Sequence, residues 1–104
     1  MESGLPRAST IDNPTRLAVM ISGGGSGLAA LLEYQLSEKR CHRTVLVLAD
    51  STLAGGLEHG RSNGIRSLGI PLPNEKDKSE QRLAHERLVH DELVSADVEM
   101  VVLS

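Results

Sequence analysis

The stretch Leu17–Leu32 restricts the fold more than any other part of the sequence. Five apolar residues, Leu17-Ala18-Val19-Met20-Ile21, run into Ser22-Gly23-Gly24-Gly25-Ser26-Gly27 and leave through Leu28, Leu31 and Leu32. An apolar run this short, stopped by glycines, reads as a strand buried on both faces. Leu28, Leu31, Leu32 and Leu36 follow i, i+3, i+4, i+8 spacing, which predicts a helix from about Ser26 to Lys39 with these leucines on one face. Ser26 is placed to act as its N-cap. Lys39 and Arg40 sit where cations suit a helix C-terminus. A strand, a tight turn and a helix start together turn backbone N–H groups and the positive end of the helix dipole toward an anion, so the turn is a candidate phosphate site.

The rest of the chain repeats the alternation. Thr44–Ala49 is a second apolar run, closed by Asp50. Leu53 to about Asn63 reads as a short helix, although Gly55, Gly56 and Gly60 each weaken it by about 1 kcal/mol against alanine. Asn63-Gly64 is a helix stop. Ser67–Leu72 is a weak third strand, confined by Pro71 to an edge or a strand end. A charged loop, Pro73–Lys78, follows. Asp77 and Glu80 approximate a capping box for a helix to about Ser95, with Ala84, Leu88, Val89 and Leu93 turned inward. Val98–Leu103 is the last strand. Strands alternating with helices predict an α/β fold, a Rossmann-like parallel sheet of about four strands with crossover helices. Residues 1–15, polar and carrying Gly4, Pro6 and Pro14, read as a disordered leader. Residues 16–104 read as one α/β subdomain. In such a sheet ligands bind beyond the carboxyl ends of the strands, where the winding reverses, and the glycine turn lies at such an end.

Several function classes fall away on composition. A net charge of −3, with no cluster of Lys or Arg and one aromatic residue, Tyr34, gives no footprint for nucleic acid. The single cysteine, Cys41, leaves no internal disulfide and no cysteine-based zinc site. No apolar run reaches the length of a membrane span, and the N-terminus lacks the apolar core of a signal peptide. A cytoplasmic protein is the expectation. His85, Glu86 and His90 come close to H-E-x-x-H. The second histidine stands at i+5, however, about 500° round a helix of roughly 100° per residue, so the two rings do not share a face. No metal site is expected there. His42 and His59 stand isolated among polar residues and read as surface positions, and nothing in the sequence activates Cys41.

Two kinds of phosphate ligand suit the turn. Gly25-Ser26-Gly27-Leu28-Ala29-Ala30 matches G-x-G-x-x-A, and Asp50 ends the second strand about 20 residues on, where an acid binds a ribose hydroxyl in NAD(P)-type modules. Against this, the pattern begins four residues after Ile21 rather than directly after the strand. A P-loop is excluded, because Leu28 stands where its lysine would be.

The second kind comes from resemblance. Ile21-Ser22-Gly23-Gly24-Gly25-Ser26-Gly27-Leu28 resembles the I-S-G-x-G-S-N-L signature of the phosphoribosylglycinamide formyltransferases. Further on, Ala54–Ile65 resembles the family's A-x-G-L-E-R-A-x-x-x-G-I segment, Arg82-Leu83-Ala84-His85-Glu86-Arg87 its R-x-A-x-D/E-R helix, and Val98–Ser104 its V-D-x-V-V-L-A strand. The resemblance implies an enzyme of purine synthesis that moves a formyl group from 10-formyltetrahydrofolate to the amine of glycinamide ribonucleotide. It implies that Gly25, Ser26 and Gly27 hold the substrate's 5′-phosphate, with Gly27 replacing an asparagine, and that Arg82 lies near the folate. It also implies that the catalytic Asn and His of an N-x-H-P motif, and a catalytic Asp, follow the last strand, beyond Ser104. On this chain no catalytic residue is assigned, and the 104 residues are expected to bind without turning over. Other possibilities are a formyltetrahydrofolate hydrolase relative and a non-catalytic remnant that binds phosphates. The valine-rich last strand is expected to leave an apolar edge that invites self-association.

Overall fold

The computed structural model describes residues 9–22, 24–74 and 76–103. The expected leader falls largely on residues 1–8, outside the described residues. Seven elements follow one another: β1 (Thr15–Ile21), α1 (Ser26–Ser37), β2 (His42–Ala49), α2 (Leu57–Ser62), β3 (Arg66–Gly69), α3 (Lys78–Ser95) and β4 (Met100–Leu103). The strands form one parallel sheet in the order β3-β2-β1-β4. This is the Rossmann-like α/β arrangement that the alternation of runs predicts.

Two apolar layers hold it together. Val19, Ile21, Val47 and Ala49 pack with Leu28 and Leu32 of α1 and Leu57 of α2 on one face of the sheet. Ala18, Leu46, Leu48 and Ile70 pack with Val89 and Leu93 of α3 on the other. The two central strands are covered on both sides, which explains why β1 and β2 are continuously apolar. The chain winds outward through β2 to β3 and then returns across β1 to β4, so the winding reverses between β1 and β4.

Several boundaries and faces differ from the sequence expectation, each for a local reason. Ser26 is not the N-cap of α1. Gly25 occupies that position in the left-handed region, with no side-chain cap. Helix α1 ends at Ser37, before Lys39 and Arg40, but Arg40 still serves its C-terminus by donating Nε–H to the Tyr34 carbonyl at 3.1 Å. Leu36 points to solvent and Gln35 is buried in its place. A register shift between β1 and β2 explains this inversion: Leu17 pairs with Thr44 but Ala18 with Leu46, leaving Val45 as the extra residue of a bulge. The bulge turns both Val45 and Leu46 toward α3. Gln35 Oε1 accepts hydrogen bonds from the Thr44 N–H at 3.2 Å and the Thr44 hydroxyl at 2.7 Å. Its Nε2 lies 2.8 Å from His42 Nδ1. A buried amide is thereby satisfied by the strand beside it.

Helix α2 begins at Leu57 rather than Leu53, because i→i+3 bonds from Leu57, Glu58 and His59 back to Ala54, Gly55 and Gly56 form a tighter entry turn. Gly60 is a packing requirement rather than a weak spot, since a Cβ there would collide with Ser67 Oγ. Strand β3 stops at Gly69, where a Cβ would strike the backbone of Ser51 and Thr52. Asp77 caps α3 as expected, accepting the Ser79 N–H at 2.9 Å. Leu88, expected inward, is exposed, and α3 buries no residue fully.

Candidate functional site: the loop after β1

The loop between β1 and α1 leaves the sheet interior beside the point where the winding reverses. Gly25 holds φ +71° and ψ 34°, a conformation that glycine adopts without strain. Space makes the same demand. A Cβ on Gly25 would stand 2.8 Å from Gly56 Cα and 3.4 Å from His59 Cδ2. The entry to α2 therefore forms a wall of this loop, and His59 lies against it rather than apart from it. Neither Gly56 nor His59 carried a signal in the sequence as a loop neighbour, because the approach depends on how α2 folds back over β2.

Helix α1 starts from this wall. The Ala29 N–H bonds the Gly25 carbonyl at 2.9 Å, the first bond of the helix ladder. The N–H groups of Ser26, Gly27 and Leu28 precede that bond and have no acceptor within the helix. Ser26 and Gly27 are exposed, so the Ser26 hydroxyl and two backbone donors face outward at the positive end of the helix dipole. Gly24 has open space around it. Such a loop can accept a compact anion through backbone donors, without a cationic side chain.

The fold recurs in solved structures. The chain is similar to a glycinamide ribonucleotide transformylase 1 from Symbiobacterium toebii, at 27% identity and a TM-score of 0.74, covering 86% of this chain and 41% of that one. It is similar to a phosphoribosylglycinamide formyltransferase from Brucella melitensis, at 26% identity and a TM-score of 0.77, covering 86% and 45%. It also matches a phosphoribosylglycinamide formyltransferase from Coxiella burnetii, solved in complex with CHES, at 22% identity and a TM-score of 0.74, covering 88% and 41%. The fold is that of the phosphoribosylglycinamide formyltransferases. The chain spans less than half the length of the solved formyltransferases it matches. No family model and no curated protein matches the sequence.

Within this formyltransferase-like sheet the expected site residues divide. Gly25, Ser26 and Gly27 are contiguous at the start of α1. Arg82 is not with them. It is exposed on α3, beside Lys78, Ser79 and Leu83, and α3 packs on the face of the sheet opposite to α1. Asp50 is exposed directly after β2, at the same end of the sheet as the loop. A cleft of about 940 Å³ lies at the other end of the strands between Gln35, His42, Arg43 and Asn63, away from the loop. It is open and shallow, and its size does not make it the site.

Two of the other histidines, His85 and His42, have structural partners. The His85 Nε2–H donates to the Ile70 carbonyl at 2.7 Å and fixes α3 to the end of β3, while His90 is exposed. His42 is not isolated. It stacks on Tyr34 with ring centroids 5.9 Å apart, and the Arg40 guanidinium lies 3.7 Å from the Tyr34 centroid. Cys41 is exposed. Among the described residues no group of three His, Cys, Asp or Glu is placed to hold a metal ion, and no helix is long and apolar enough to cross a membrane.

Proposed function

We propose that this chain supplies the ribonucleotide-phosphate cradle of a phosphoribosylglycinamide formyltransferase. The observation that carries this reading is the left-handed Gly25, closed against Gly56, which aims the exposed start of α1 at the point where the sheet's winding reverses. In this reading Gly25 lets the phosphate approach the backbone. Ser26 donates its N–H and its hydroxyl, and Gly27 donates its N–H. Replacement of the family's asparagine by Gly27 removes one side-chain contact and leaves the backbone donors in place. Arg82, across the sheet from the loop, would face the folate side. In the formyl transfer itself the glycinamide amine attacks the formyl carbon of 10-formyltetrahydrofolate, the bond from that carbon to the folate nitrogen breaks, and the amine's proton goes to a base. The sequence holds no N-x-H-P motif, so we assign substrate anchoring, and no proton transfer, to these 104 residues.

Thermal unfolding with added ligand tests the assignment. Glycinamide ribonucleotide and ribose 5-phosphate raise the melting temperature, and Ser26→Asp, which sets a carboxylate in the anion's place, abolishes the rise. An unchanged rise in the variant removes the loop as the phosphate site. Formyl transfer by the isolated chain contradicts the restriction to anchoring. A dinucleotide module is the second reading, favoured by the exposed Asp50 at the same end of the sheet. It requires protection by NAD(P) and none by a ribose phosphate.

A further inference from the structure

His59 stands in the wall of the loop after β1. A Cβ on Gly25 would lie 3.4 Å from its Cδ2, and Nε2 is one ring bond from that contact. The loop does not screen the ring. Of residues 24–27, three are glycine and Ser26 alone carries a side chain. A Cβ on Gly24 would meet nothing within 4 Å. The backbone of His59 is held on both sides: its N–H bonds the Gly56 carbonyl at 3.1 Å, and its carbonyl accepts from Asn63 Nδ2 at 2.7 Å. Packing fixes α2 on the sheet, since Leu57 is fully buried and a Cβ on Gly60 would collide with Ser67 Oγ. The position of the ring beside Gly25 is therefore set by the fold, while its nitrogens are uncommitted. Among the described residues they have no hydrogen-bond partner, whereas Nδ1 of His42 and Nε2 of His85 are engaged. Charge also singles this residue out. Residues 17–38 and 44–60, which build the loop, α1 and the wall, contain no Lys and no Arg, and His59 is their one residue able to carry a positive charge. Its charged neighbours in α2 are occupied elsewhere, Glu58 Oε1 with the Ser62 hydroxyl at 3.3 Å and Arg61 Nη2 with the Ser67 carbonyl at 3.5 Å.

We propose, on the footing that the loop is the phosphate cradle, that His59 is a second side-chain ligand of the same anion. Its Nε2–H donates to one oxygen of a phosphate monoester, and the other oxygens meet the Ser26 hydroxyl and the N–H groups at the start of α1. The two sets of donors come from different elements, the end of α1 and the wall formed by α2. A phosphate monoester presents three terminal oxygens and can meet both sets at once. An N–H donated to an ionised oxygen is among the stronger hydrogen bonds, and here it would come from the one side chain near the loop with donors to spare. The glycines at 24, 25 and 27 then serve a second purpose. They leave the ring edge and the helix start open to one ligand, where a larger side chain at Gly25 would meet the ring itself.

The test titrates the full 104-residue chain with ribose 5-phosphate, followed by calorimetry and by the imidazole signals in NMR spectra. His59→Leu is expected to weaken binding about tenfold or more, as for one lost hydrogen bond to a charged group. His59→Gln, whose side-chain N–H can stand in for Nε2–H, is expected to keep clearly more affinity than His59→Leu. His90→Leu, at an exposed histidine on α3, leaves affinity unchanged. His59 is exposed, so the melting temperature of the ligand-free chain stays the same in both of its variants. In the wild-type chain the ring signals of His59 shift on addition of ribose 5-phosphate, and those of His42, at the opposite end of β2, do not. Unchanged affinity in His59→Leu, equal weakening by His59→Leu and His59→Gln, or His59 ring signals that stay in place overturns the proposal. Ser26→Asp separates that result from failure of the cradle itself: binding lost in Ser26→Asp keeps the loop as the phosphate site and removes His59 alone. Binding that survives Ser26→Asp, or no binding by the wild-type chain, overturns both.

Discussion

The two edges of this sheet are built on opposite terms. At β3, the ladder is short and then closed off. Arg66 is charged and exposed, and its Nη2 lies 3.4 Å from Glu92 Oε2 of α3. Arg61 reaches the Ser67 carbonyl at 3.5 Å. After Gly69 the Ile70 N–H bonds the Ala49 carbonyl at 2.7 Å, and Pro71 then removes the next donor. At β4, four apolar residues run to the end of the strand with none of these devices. The difference teaches that an edge is guarded by side-chain chemistry and not by position in the sheet.

Breaking the guarded edge by fit gives the largest expected effect. Gly69→Ala places a methyl group against the backbone of Ser51 and Thr52, which has no flexible side chain to give way. A loss of about 3 kcal/mol is expected, at the upper end for overpacking, read by urea unfolding. A loss below about 1 kcal/mol would mean that the loop yields and that the edge is not locked by this contact. At the bare edge the expectation reverses. Val101 is 41% exposed, so Val101→Lys is expected to leave the unfolding free energy within about 0.5 kcal/mol of wild type. A large loss there would show that Val101 is held by the layers packed on its own sheet. The smallest effect belongs to Arg66→Ala. A half-exposed ion pair contributes at most about 1 kcal/mol, and the association state is expected not to change. New self-association in this variant would show that charge, not Pro71 and Gly69, keeps β3 alone.

Much of this was legible in the sequence, and the reasons can be given by residue. β1 and β2 were readable because burial on both faces writes a continuous apolar run. The loop was readable because Gly25 meets two demands at once, a left-handed backbone and the approach of Gly56, and leaves a glycine-rich signature. What escaped depends on neighbours far along the chain. Gln35 took the place of Leu36 in the core because the bulge at Val45 turned Thr44 to meet it, and no periodicity within α1 encodes a bulge in β2. Gly60 read as a weak point and Gly69 carried no reading of its own, and only the closeness of Ser67, Ser51 and Thr52 shows both as requirements. His59 read as an isolated surface residue because its neighbour is Gly25, thirty-four positions earlier in the chain.

The buried amide of Gln35 has one more consequence. A backbone N–H only donates, so the atom facing the Thr44 N–H must be the amide oxygen. The amide cannot be turned over, and its NH₂ group is committed to His42 Nδ1. Nδ1 must then offer a lone pair, and the neutral ring of His42 carries its hydrogen on Nε2. A single peptide group in β2 thereby selects the tautomer of an imidazole two residues earlier on the same strand, by way of a side chain from a helix.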